Sequence, residues 1–145
     1  MAVSIFWYGL AQAALANKEI DWTSDAIKVA LCTSTYTPAQ DTHDYFNDIT
    51  NEITGVGYTA GGATLANCTS GYTAGTNVQK LDADDAAWVT ATITARYAII
   101  YDAQTGVAAT SPLIAYVDFG TDVVSTGAPF TITWAAAGIL TMTAA

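Results

Sequence analysis

The sequence predicts a mainly β domain: an antiparallel sandwich or barrel of about seven or eight short strands, with one N-terminal helix. Three observations predict it. Thr is abundant alongside Tyr, Trp, Val and Ile, the residues that fit a pleated surface. Several segments alternate apolar and polar residues with period two. Turn signals recur every ~8–15 residues without a regular strand–helix–strand alternation.

The elements follow in chain order. Residues 3–18 are read as the helix, with Phe6, Trp7, Leu10 and Ala14 at steps of three and four and Lys18 near the negative pole of the dipole. Ala26–Cys32 is the first clear strand, with Ile27, Val29 and Leu31 alternating with Lys28, Ala30 and Cys32. Pro38 breaks the pattern, and Thr42–Glu52, with Tyr45, Phe46 and Ile49 at helical spacing, is a short helix or an ordered loop. Glycines 55, 57, 61 and 62 surround Tyr58 and mark positive φ or close backbone approach. Short strands are expected at 63–68 and 78–81, then a turn at Asp82, Asp84 and Asp85, then strands at 88–94 and 95–101. The second of these, an apolar run, reads as central. Strands at 113–119, ending at Gly120, at 130–134 and at 139–143 complete the chain.

Residues 1–145 are read as one domain, β-rich from about residue 26. The formal net charge is −9, from four Lys+Arg against 13 Asp+Glu, yet only 12% of residues are charged and 52% are hydrophobic. Such a chain can bury a core, unlike a disordered acidic tail. Its four dispersed cations (Lys18, Lys28, Lys80, Arg96) make no patch for phosphates, so neither nucleic acid nor an anionic membrane is an expected partner. The apolar stretch Val3–Ala16 has only Met1 and Ala2 in front of it, without the Lys or Arg of a signal peptide, and is read as part of the mature domain. No apolar run reaches the length of a membrane-spanning helix. Cys32 and Cys68 make no disulfide framework and read as small buried hydrophobes, with a single bond between them left open. Asn67-Cys68-Thr69 matches the glycosylation sequon by chance.

Motifs that carry chemistry are scarce, and no catalytic residue, cofactor or metal is assigned. The single histidine, His43, stands in a polar stretch without a G-x-S-x-G nucleophile motif and reads as an exposed or loop residue. Asp82, Asp84 and Asp85 read as a solvated turn. Counted from Asp82, the sixth and twelfth positions of an EF-hand are Ala87 and Ile93 rather than Gly and Glu, which leaves only a looser calcium site open. The glycine-rich segment lacks the Lys and Ser/Thr of a phosphate loop. A carboxylate pair for glycoside hydrolysis stays open as a class, with no pair nominated. The remaining signal is aromatic. Phe6, Trp7 and Tyr8 are consecutive and cannot all face one core, so these three with Leu10 are the candidate interface residues.

Taken in order, the chain resembles a family of small tailed-bacteriophage virion proteins, the head decoration or cement proteins. The resemblance is carried by Ile20-Asp21-Trp22, Asp25-Ala26-Ile27-Lys28-Val29-Ala30-Leu31, Thr37-Pro38, Asp41, His43-Asp44 and Asn51-Glu52-Ile53 with Gly57-Tyr58-Thr59-Ala60-Gly61-Gly62. It continues through Ile93-Thr94-Ala95-Arg96-Tyr97-Ala98, Ile100-Tyr101-Asp102, Leu113-Ile114-Ala115-Tyr116-Val117-Asp118-Phe119-Gly120 and Phe130-Thr131-Ile132-Thr133-Trp134. It covers nearly the whole length, and its specificity lies in the combination of pieces. The resemblance implies a non-catalytic protein, often trimeric, made in the host cytoplasm. It would bind the outside of the expanded capsid and cement neighbouring major-capsid subunits against genome pressure. The alternatives are a phage tail or receptor-binding module, a small glycan hydrolase, or a bacterial surface adhesion domain.

Overall fold

A computed structural model describes residues 3–144, so Met1 and Ala2, which bear on the reading of the N-terminal apolar stretch, lie outside the described residues. The chain runs β1 (Ser4–Trp7), α1 (Ala11–Ala16), β2 (Ile27–Cys32), β3 (Ala63–Thr64), β4 (Thr69–Thr73), β5 (Val78–Asp82), β6 (Ala86–Asp102), β7 (Leu113–Ile132) and β8 (Leu140–Thr143). The mainly β class holds, as two antiparallel sheets, one ordered β1-β7-β6-β2-β3 and the other β4-β5-β8.

The N-terminal reading needs correction. Residues 3–18 are not one helix: Ser4–Trp7 is a strand on β7, and only Ala11–Ala16 is helical. The β-branched and aromatic run Ile5-Phe6-Trp7 is stiff and suits a pleated edge, and its burial alternates with period two. Alanines supply the helix that follows. The stripe expected through Phe6, Trp7, Leu10 and Ala14 therefore does not form, because adjacent strand residues point to opposite faces.

Other boundaries shift for local reasons. The two strands expected at 88–94 and 95–101 are one strand of 17 residues, β6. Those at 113–119 and 130–134 merge into a single 20-residue β7 that ends at Ile132, two residues short of the expected end. Gly120, read as a strand end, instead takes φ +80 within β7, with its N–H donating to Asp118 Oδ1 at 2.7 Å. Thr69–Thr73 was not legible as a strand because all five residues are exposed and give no apolar alternation. The strand at 63–68 shrinks to Ala63–Thr64, and Thr42–Glu52 is an ordered loop with one 3-10 turn at Phe46–Asp48.

The core sits between the sheets. Ile27, Val29, Leu31, Ile100, Ile114 and Val117 of the large sheet share one buried cluster with Leu81 and Leu140 of the small one, which Trp22, Trp88 and Trp134 join. Each such large side chain contributes about 1.5–3 kcal/mol of burial. β6 occupies the centre of the large sheet, as its apolar run indicates. The second face of β2 is buried too. Ala30 and Cys32 pack with Tyr8, Tyr36, Ile99 and Leu113 because the loop after β2 folds back over that face with Phe46 and Ile49. Phe46 stacks on Tyr101, centroids 4.0 Å apart.

The glycine-rich segment is strapped to β2. The Tyr58 hydroxyl donates to Glu52 Oε1 at 2.6 Å and accepts from the Leu31 N–H at 3.0 Å, and the same carboxylate oxygen accepts from Gly61 N–H. Gly57 and Gly62 have φ of +83 and +77, and a Cβ at either would overlap a backbone carbonyl, of Thr90 and Val29 respectively. Both properties expected of these glycines are present.

Candidate interaction surface

The four candidate interface residues belong to one short β1–α1 unit, but the fold gives them different fates. β1 is the edge strand, in register with β7 through Phe6↔Tyr116 and Trp7↔Ala115. Phe6 lies on the outer face, stacked on Tyr116 with centroids 5.1 Å apart, and remains 41% exposed. Trp7 points the other way, half-buried against the main core. Tyr8, expected at an interface, is fully buried. Leu10, at the helix start, is 42% exposed beside a small cavity that Tyr45 and Pro112 also line. The exposed pair is thus Phe6 and Leu10.

Tyr8 is buried because it heads a hydrogen-bonded chain. Its hydroxyl is 2.7 Å from that of Tyr36, which is 2.9 Å from His43 Nδ1. Burial, with the Tyr36 hydroxyl, drives the Tyr8 pKa far above its ordinary value, so the phenol stays neutral. His43 does lie in a loop, but half-buried and engaged with Tyr36 rather than simply exposed. The backbone around Tyr8 is pinned as well. Gln40 Nε2 donates to the Trp7 carbonyl at 2.7 Å, and Gly9 N–H donates to the Gln40 carbonyl at 2.9 Å. Phe6 and Leu10 are therefore displayed on a fixed unit, so presenting them to a partner costs little ordering entropy.

Next along β7 from Tyr116 is an ion pair. Arg96 Nε donates to Asp118 Oδ1 at 2.9 Å, which holds the Asp118 carboxyl below its usual range, and the guanidinium lies 5.2 Å from the Tyr97 ring centroid. Sequence reasoning missed Tyr36, Tyr97 and Tyr116 as the support of this surface, since nothing in their spacing brings them together.

The acidic turn is structural in its contacts. Asp82 pairs with Lys80 at 2.9 Å, Asp84 Oδ2 accepts from Asn67 Nδ2 at 2.6 Å, and Asp85 Oδ1 accepts from the Trp134 N–H at 2.9 Å. The carbonyls of Asp82 and Asp84 accept the indole N–H groups of Trp22 and Trp134. Among the described residues no three His, Cys, Asp or Glu side chains gather where they could hold a metal ion. Cys32 and Cys68 are both free, so the bond left open between them is not formed. Burial pushes the Cys32 thiol up to about 12 and that of Cys68 upward.

A cleft of about 470 Å³ runs between α1 and the small sheet, floored by Leu15, Ile20, Trp22, Leu81 and Met142, with Lys18 and Asp21 as its ionisable lining. No helix among the described residues is long and apolar enough to cross a membrane. The fold and surface define a two-sheet β domain that displays one aromatic and one aliphatic side chain on a pinned edge. No protein-family model, curated protein or solved structure matches this chain.

Proposed function

We propose that this chain is a structural virion protein that binds the outer surface of the expanded phage capsid and cements neighbouring major-capsid subunits, without catalysis. The observation that carries the reading is the fixed display of Phe6 and Leu10 on an otherwise charge-poor β domain, in a chain whose residues resemble decoration proteins from Ile20 to Trp134. Aromatic and aliphatic anchors on a rigid unit suit a static interface formed in many copies. A standard interface buries about 800 Å² per partner. A trimer touching several capsid subunits multiplies such contacts by avidity. A net charge of −9 keeps decorated particles soluble and apart.

The test is sedimentation of the purified chain with expanded phage heads that lack it. The expected result is co-sedimentation that saturates near one chain per capsid subunit, with little binding to the unexpanded shell. A chain left in the supernatant with both shells would overturn the reading.

A further inference from the structure

On the second face of β2, where the following loop folds back, lies a cavity of about 260 Å³. Lys28 alternates along β2 with Ile27 and Val29, so it shares that face with Ala30 and Cys32. It is half-buried and in register with Tyr101 of β6. Phe46, stacked on Tyr101, lines the cavity together with Ala103 and Ala108 of the β6–β7 loop. A Cβ built on Gly61 would lie 3.4 Å from the Tyr101 hydroxyl and 3.6 Å from Lys28 Nζ, so the phenol and the ammonium stand at the same point of the glycine segment.

Lys28 is the one charged side chain in the lining. Among the described residues the ion pairs are Lys80–Asp82 and Arg96–Asp118, so Lys28 has no carboxylate partner although the chain carries 13 Asp+Glu. Glu52 is engaged elsewhere, by the Gly61 N–H at 2.6 Å and the Tyr58 hydroxyl at 2.6 Å. The two hydroxyls that line the cavity donate inward. Tyr101 O–H donates to the Gly61 carbonyl at 2.7 Å, and the buried Ser111 O–H donates to the Val107 carbonyl at 2.9 Å. Burial raises the Tyr101 phenol to about 12, so it adds no negative charge beside the ammonium at neutral pH. The ammonium is thus the donor left to a ligand.

We propose that this cavity binds a carboxylate carried on a short apolar stem, with Lys28 as its counter-ion. The lining sets the class. One cation among aromatic and alanine side chains matches a monoanion with an apolar body. Phosphate and sulfate spread their charge over more oxygens and call for several donors, which one ammonium does not replace. At about 260 Å³ the cavity falls below the roughly 300–1,000 Å³ of sites for drug-sized ligands, which limits the occupant to an acidic side chain of a partner or a short-chain carboxylic acid.

The test is titration of the isolated chain at neutral pH and constant ionic strength, followed by amide NMR. It uses no phage heads, so its result bears on this site alone. The probes are butyrate and N-acetyl-glutamate N-methylamide, which carries its carboxylate as a partner's side chain would. Saturable shifts at Lys28, Ala103 and Ala108 are expected with butyrate. The same shifts with the blocked glutamate extend the site to acidic side chains, and shifts with butyrate alone confine it to free acids. Lys28→Met, which keeps an apolar stem without the charge, should weaken binding by about tenfold or more, and Lys28→Arg should retain it. If Lys28→Met does not fold, 1-butanol replaces it as the uncharged comparison on the wild-type chain. Saturable shifts with neither carboxylate overturn the proposal. Equal shifts with 1-butanol, equal shifts with phosphate, or undiminished binding by a folded Lys28→Met variant overturn it as well.

Discussion

Replacing Gly62 by alanine is expected to unfold the domain. Gly62 holds φ +77, and a Cβ there would meet the Val29 carbonyl oxygen and carbon and the Ala30 Cα, all backbone atoms of β2. Backbone in a sheet interior cannot swing aside as a side chain can, so the overlap must be relieved by pulling the glycine segment off β2. That breaks the β2–β3 pairing at Val29↔Ala63 and the Tyr58–Glu52–Gly61 strap together. A positive φ alone costs an alanine about 1–2 kcal/mol. With the clash, the loss should exceed about 4 kcal/mol, a large part of the 5–15 kcal/mol that holds a typical domain. Gly106→Ala is the matched control: φ is +70, but nothing lies within 4 Å of the added Cβ. It should cost only about 1–2 kcal/mol. Circular-dichroism melts of the two variants check this. Equal Tm values would mean that conformation, and not close approach to β2, sets the requirement at Gly62.

The second large effect is on binding and not on folding. Changing Phe6 and Leu10 together to serine should abolish sedimentation with expanded heads while leaving the fold intact. Both side chains are about two-fifths exposed, and Phe6 gives up only its stacking on Tyr116. The stability cost should stay near 1–2 kcal/mol. Central anchors of an interface are each worth about 2 kcal/mol or more, roughly 30-fold in affinity, and multivalent attachment amplifies the loss. Tyr8 and Trp7 do not serve for this experiment. Tyr8→Ser would cut the Tyr8–Tyr36–His43 chain in the core, and Trp7→Ser would open the main core, so either would lower Tm first. If the Phe6/Leu10 double variant binds heads with undiminished affinity, the capsid contact lies elsewhere on the chain.

How far the sequence reveals this molecule depends on whether a segment's partner is local. The core of the large sheet is legible because Ile27, Val29 and Leu31 alternate and residues 95–101 are continuously apolar, patterns set within each strand. The positive φ of the glycine segment is legible for a similar reason, since a cluster of Gly around one Tyr has few other uses. The acidic turn before β6 is legible too. What its sequence hides is that its carbonyls receive Trp22 and Trp134, which come from opposite ends of the chain.

The N-terminal error has one physical source. Phe6, Trp7 and Leu10 satisfy helical spacing, and only pairing with β7, more than 100 residues away in the chain, decides for strand. That pairing also overturns Tyr8, which the sequence leaves free to be exposed and which Tyr36 and His43 draw inside. β4 is invisible for the opposite reason: its residues face solvent throughout, so no alternation records its pairing with β5. Of the candidate surface, the sequence names one short segment, and the fold leaves two of its four residues, Phe6 and Leu10, exposed. Their support from Tyr116, Gln40 and the Tyr36 chain is long-range and carries no signature.

The most direct test of the proposed cementing role is the number of copies of this chain per purified virion, measured by quantitative mass spectrometry against the major capsid protein. A cementing protein is expected in hundreds of copies, near one per capsid subunit. A count of a few to a few tens would place the chain at the tail or a single vertex and contradict it, and finding none would remove the structural role altogether.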